Sequence, residues 1–156
     1  MGKAIQEGDK APAFKLAADG GKTVSLKDFA GKPLVLYFYP KDDTSGCTKE
    51  AIDFSGAAAQ FKKLGVAVVG VSKDSVASHD KFKKKHALSI ALGSDPEGEM
   101  IESYGSWVEK SMYGRKYMGI DRSTFLIDGK SRVVRIWRKV RVPGHVEEVL
   151  AAAKSL

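Results

Sequence analysis

The chain has 156 residues, 43% hydrophobic and 29% charged, with a formal net charge of +7 at pH 7. This is one ordinary domain's length with enough apolar content for a core, so residues 1–156 are expected to form a single domain; disorder, collagen and coiled coil are excluded. The longest apolar run, Leu34 to Tyr39, falls far short of the ~20 residues a membrane helix needs. Lys3, Glu7, Asp9, Lys10 and Lys15 leave no apolar stretch for a secretory signal, and Gln6 breaks a myristoylation motif. A single cysteine excludes an internal disulfide and any multi-thiolate metal site, and with the missing signal it points to the reducing cytoplasm. The basic residues, among them Lys62-Lys63, Lys81, Lys83 to Lys85 and Arg132 to Arg141, fall on different elements mixed with acids. They read as solvated surface, with no specific nucleic acid and no membrane as partner.

In chain order, Ala13 to Leu16 and Thr23 to Leu26 flank Asp19-Gly20-Gly21-Lys22 and predict an N-terminal hairpin. Leu34 to Tyr39 does not alternate and stops at Pro40, the pattern of a strand buried on both faces. From Cys47 to Leu64 the period is 3.6, with Cys47, Ala51, Phe54, Ala58 and Phe61 on one stripe and Gly65 as C-cap. Val66 to Val71 predicts a second buried strand, and Ser75 to Ala87 a helix burying Val76, His79 and Phe82. A short strand follows at Ser89 to Leu92, then a helical turn from Glu97 to Tyr104. Ser123 to Ile127 and Arg132 to Val142 predict paired strands joined by Asp128-Gly129-Lys130. On the second of these, Arg138 shares the apolar face of Val134, Ile136, Val140 and Val142, which asks for either a bulge or a second cation near an active site. A last helix, Gly144 to Ser155, places Glu147 and Glu148 early and Lys154 late, matching the helix dipole. The order is that of an α/β fold with a mixed central sheet and helices on both faces.

Chemistry points to Cys47. The segment Pro40-Lys41-Asp42-Asp43-Thr44-Ser45-Gly46-Cys47 leaves a buried strand and enters a helix, so Cys47 lies in or before the first turn. Unpaired N–H groups and the positive end of the macrodipole converge there and favour a thiolate. Gly46 allows close backbone approach to a small ligand, and Thr44 Oγ is within reach of the sulfur. The bland alternative makes Cys47 a packed apolar residue on the stripe of Ala51 and Phe54.

Pro40, Thr44 and Cys47 complete Pro-x-x-x-Thr-x-x-Cys, and the sequence here resembles the peroxiredoxins. The stretch Tyr37 to Thr44 is similar to the subfamily called bacterioferritin comigratory protein or peroxiredoxin Q. The likeness continues through Gly70 to Ser75, Lys116 to Ile120 and Arg122 to Asp128. It implies a thioredoxin-like fold and a thiol peroxidase that reduces hydrogen peroxide and organic hydroperoxides through a cysteine sulfenic acid. Cys47 would be the peroxidatic nucleophile, Arg122 the cation steadying thiolate and developing charge, Thr44 the residue orienting peroxide, and Pro40 the shield against water. No cofactor or metal is implied. Ser45 stands where the family usually has Pro, and Ile52 where many relatives carry a resolving cysteine; none lies at Phe82 to Lys84 either. Resolution then falls to an external thiol, thioredoxin or glutaredoxin with glutathione, acting on a monomer or weak homodimer. The competing class is a non-catalytic thioredoxin-like binding or chaperone module.

Other residues read as structural. His79 and His86 are ~10.5 Å apart along a helix, too far to share a metal, and His145 resembles them. Asp42 and Asp43 would disfavour a nearby thiolate, so they are expected to be solvated turn residues pointing away.

Overall fold

The computed structural model describes residues 5–156. The chain runs β1 (Lys15–Ala18), β2 (Lys22–Ser25), β3 (Leu34–Phe38), α1 (Ser45–Gly56), α2 (Ala58–Lys63), β4 (Ala67–Ser72) and α3 (Val76–His86). It continues through β5 (Ala91–Ser94), α4 (Glu99–Ser103), β6 (Trp107–Met112), β7 (Arg115–Ile120), β8 (Ser123–Ile127), β9 (Val133–Trp137) and α5 (His145–Lys154). Seven strands form one sheet in the order β2-β1-β5-β4-β3-β8-β9, with β6 and β7 paired separately. β4 is parallel to β3 and β5, whereas β8 is antiparallel to β3 and β9, so the sheet is mixed. The interior strand β3 is buried at every position, as the unalternating apolar run requires. Val35, Tyr37 and Tyr39 join Phe54, Phe61, Phe82, Val149 and Leu150 in the core under α1, α2, α3 and α5. Leu34, Leu36 and Phe38 join Val24, Leu26, Met100, Ile101 and Tyr104 on the other face, under the hairpin β1–β2 and α4. Among the described residues no helix is long and apolar enough to cross a membrane.

Four expectations need correction. The helix expected over residues 47–64 is two helices that part at Ala57, where Ser55-Gly56 weakens the ladder and the Ser55 carbonyl is drawn to the Ser89 hydroxyl. The break moves the buried position from Ala58 to Ala57. The strand expected over 132–142 ends at Trp137; a bulge opposite Leu126 and Ile127 shifts the phase, so Val133 is buried and Val134 is 40% exposed. Lys139 then turns left-handed and ends the strand's course. Sequence periodicity missed β6 and β7 altogether, because this hairpin is largely exposed and neither strand alternates cleanly. Its signal was the two-residue turn Tyr113-Gly114, both at positive φ, as a type I′ hairpin demands. Finally, Val76 is only half-buried while His79 and Phe82 carry the inner face of α3.

Candidate active site

Strand register assembles the site. Phe38 at the end of β3 pairs with Ser123 at the start of β8, so Arg122 stands beside the point where the chain leaves β3 for α1. Thr44 is the N-cap of α1, making Cys47 its third helical residue. The first amide of the helical ladder is that of Thr48, bonded to the Thr44 carbonyl, so the Ser45, Gly46 and Cys47 N–H groups precede the ladder. The Cys47 side chain is 2% exposed, packed in the core under α1. Arg122 Nη2 donates to its Sγ at 3.4 Å. Gly46 has a different task from the one expected: a Cβ there would meet Arg122 Nη2 at 3.1 Å, so glycine clears the guanidinium's path.

Glu50, which sequence reasoning passed over, completes the group. It is fully buried on the face of α1 that carries Cys47, and its Oε1 accepts from Arg122 Nη1 at 2.7 Å. Burial pushes its carboxyl up to about 7, outweighing the pull of Arg122. Burial alone would lower the Arg122 guanidinium, but the charges of Glu50 and Cys47 raise it instead. The signal was a carboxylate three residues after Cys47 on an apolar stripe. Behind it, the buried Tyr37 ring stacks on Phe54 at 4.5 Å, and Gly70 leaves room for it, since a Cβ there would lie 2.7 Å from the ring. Burial first, then the Glu50 charge, drives the Tyr37 hydroxyl well above the usual phenol range.

Pro40 and Thr44 are exposed, with Thr44 Oγ1 donating to the Lys41 carbonyl at 2.8 Å. Ser45 is exposed as the first residue of α1. Ile52 is 43% exposed, in a groove with Pro143, Val146 and Leu150. Arg138 is not a second cation at Cys47. Its guanidinium lies over the Phe125 ring and bonds the Tyr104 and Gly105 carbonyls at the end of α4. Asp42 and Asp43 do not both point away: Asp42 is buried, while Asp43 pairs outside with Lys85 and His86 of α3. Burial of Asp42 is possible because donors surround it.

The geometry is that of a buried free thiol under a guanidinium, and the family model described as "AhpC/TSA family" matches residues 7–136. The chain belongs to the peroxiredoxins. A putative peroxiredoxin bcp of Coxiella burnetii is 51% identical over 146 residues, spanning 94% of this chain and 97% of that one. A solved cysteine mutant of Xylella fastidiosa PrxQ superposes with a TM-score of 0.93 at 40% identity, covering 99% of this chain and 98% of the other. The Xanthomonas campestris bacterioferritin comigratory protein, solved in work on its alkyl peroxide reduction activity, matches at TM-score 0.87 and 44% identity over 91% of this chain and 90% of its own. The peroxiredoxin thus has the thioredoxin-like fold that the motifs implied, and its substrate class is peroxide with a thiol as reductant.

Behind the peroxiredoxin site, His145 at the start of α5 is buried against Phe54 and Trp137, its Nε2 2.8 Å from Thr124 Oγ1. Burial pushes its imidazole down to about 4. The folded state therefore releases a proton that the unfolded chain keeps. Stability from this group is complete above pH ~6.5 and is lost as pH falls toward 4, by roughly 3 kcal/mol. Glu50, raised to about 7, acts oppositely by favouring the folded state at low pH. Urea unfolding of His145→Gln and the unaltered protein cancels that term. The difference between them should shrink as pH falls from 6.5 to 4; a constant difference would contradict a neutral buried ring.

Proposed function

We propose that the protein is a one-cysteine thiol peroxidase that reduces hydrogen peroxide and organic hydroperoxides. The observation that carries this reading is the Arg122 donor on Cys47 Sγ, at the first turn of a helix. In the reaction the Cys47 thiolate attacks the terminal oxygen of the peroxide; an S–O bond forms, the O–O bond breaks, and the departing oxygen takes a proton to leave as water or an alcohol. Arg122 has a forked, permanent charge suited to steadying both the thiolate and the oxygens as charge moves between them. The Cys47 N–H adds a donor, Thr44 orients the peroxide, and Pro40 keeps water from the thiolate. This chemistry calls for no metal or bound cofactor.

The product is a cysteine sulfenic acid. With Ile52 on α1 and no cysteine on α3, the sulfenic acid condenses with an external thiol and expels water, and a second thiol releases the resulting disulfide. Thioredoxin, or glutaredoxin with glutathione, supplies those thiols in the cytoplasm. The organic substrates follow from the alkyl peroxide reduction named for the Xanthomonas campestris relative. We take the chain to act as one domain, a monomer or weak homodimer, with its +7 charge serving solubility and no nucleic acid or membrane as partner.

Titration with peroxide tests the reading. One equivalent should consume the one titratable thiol, and an added thiol system should restore it and sustain turnover. A thiol that survives equimolar peroxide while remaining open to alkylation would leave the binding-module alternative standing.

A further inference from the structure

Asp42 lies in the loop that leads from β3 to Cys47, and its carboxylate gathers three donors. Tyr39 Oη donates to Oδ1 at 2.6 Å; Ser78 Oγ and His79 Nδ1 donate to Oδ2 at 2.8 and 2.7 Å. Its own N–H donates to Asp74 Oδ2 at 2.8 Å, and Ser72 Oγ donates to the same oxygen at 2.6 Å. On the far side of the ring, His79 Nε2 faces the Gly93 carbonyl at 2.9 Å. A carbonyl oxygen only accepts, so Nε2 carries a hydrogen; the carboxylate at Nδ1 holds a second. His79 is 0% exposed, which makes this a buried imidazolium–carboxylate pair joining α3 to the active-site loop. Such a pair is a weak source of net stability but a strong constraint on geometry. The rest of the loop moves with it, because Thr44 Oγ1 is tied to the Lys41 carbonyl and left-handed Asp43 is tied to α3 from outside. Nothing in the peroxide chemistry consumes these groups.

We propose that the Asp42–His79 pair is a charged clamp that positions Pro40 to Thr44 and the first turn of α1 for peroxide attack, so that the peroxidase reaches its full rate only while the pair holds its proton. The proposal rests on the peroxidase reading, and both members are positioning residues. The groups that face the ring are Tyr39 from the end of β3, Asp42 from its loop, Asp74 after β4, the Gly93 carbonyl of β5 and Ser78 of α3. Burial works to expel the ring's proton. The bond and charge of Asp42, with Gly93 and Asp74, prevail and hold His79 above the usual histidine value. Tyr39 is pushed well up by burial and stays neutral. As pH rises through the raised value, one N–H remains for two acceptors, and a lone pair faces an oxygen. The clamp and its share of stability, complete below pH ~6.5, are lost together on that alkaline side.

The test follows single-turnover oxidation of Cys47 by hydrogen peroxide from about pH 6 to about pH 9, beside imidazole NMR of His79 in the same full-length protein. The rate should fall on the alkaline side with the midpoint at which His79 loses its proton. His79→Gln should be slower by about tenfold at neutral pH, as a displaced loop implies, and should lack the alkaline fall. A neutral His79 ring at neutral pH, or the same fall in His79→Gln, would overturn the clamp. Should that variant not fold, the coincidence of the two midpoints in the unaltered protein decides alone. Absence of Cys47 oxidation at every pH would instead sink the peroxidase reading itself.

Discussion

Replacing Cys47 with serine should abolish peroxide reduction, with a loss of roughly 10³-fold or more in the second-order rate. Serine keeps the size and the position at the third residue of α1, so the core around Ala51 and Phe54 stays filled. What it lacks is a sulfur nucleophile. An alcohol is not ionised by one guanidinium at hydrogen-bond distance, and oxygen is a far poorer nucleophile toward peroxide oxygen than thiolate sulfur. The Arg122–Glu50 bond at 2.7 Å does not involve Cys47, so the cation stays in place. The fold, followed by circular dichroism, should therefore survive while peroxide consumption with every thiol donor disappears. Sustained turnover in Cys47→Ser would remove the sulfenic acid from the mechanism.

Arg122→Gln is expected to slow Cys47 oxidation by about 10²- to 10³-fold, the range for losing one preorganised donor at developing charge. Arg122 is the bridge of the site, with Nη2 on Cys47 Sγ and Nη1 on Glu50 Oε1. Glutamine retains much of the bulk but cannot donate to both as a charged fork. The variant should still fold, because Glu50 has another way to tolerate its burial. Its carboxyl already stands at about 7 against the pull of Arg122; without that pull, burial acts unopposed and the group stays protonated further up the pH scale. Arg122→Lys separates charge from geometry, since an ammonium can face the sulfur or the carboxylate but does not match the fork. It should recover only part of the rate. Stopped-flow oxidation of all three proteins at matched pH measures this, and a change confined to thermal stability would make Arg122 structural.

The motif of the candidate site was legible because its residues sit within one short stretch. Pro40, Thr44 and Cys47 lie in a loop whose course follows from its neighbours, a buried apolar strand before it and a helix after it. The sheet's two central strands, the terminal helix and the lack of a resolving cysteine were likewise open to inspection, since each depends on local pattern or simple presence. Arg122 was within reach only by resemblance. Its contact with Cys47 spans 75 residues and exists because Phe38 and Ser123 pair in one particular register, which no local pattern encodes. Glu50 and Asp42 mark the boundary most clearly. Taken alone, a carboxylate belongs in water, and the sequence by itself placed Asp42 on the surface and left Glu50 unremarked. Tertiary structure reversed both, because an acid can be buried once distant donors converge on it: Arg122 for Glu50, and Ser78 and His79, beside the neighbouring Tyr39, for Asp42. Composition determined that there would be one thiol; only folding decided which charges surround it, because those charges come from segments far apart in the chain.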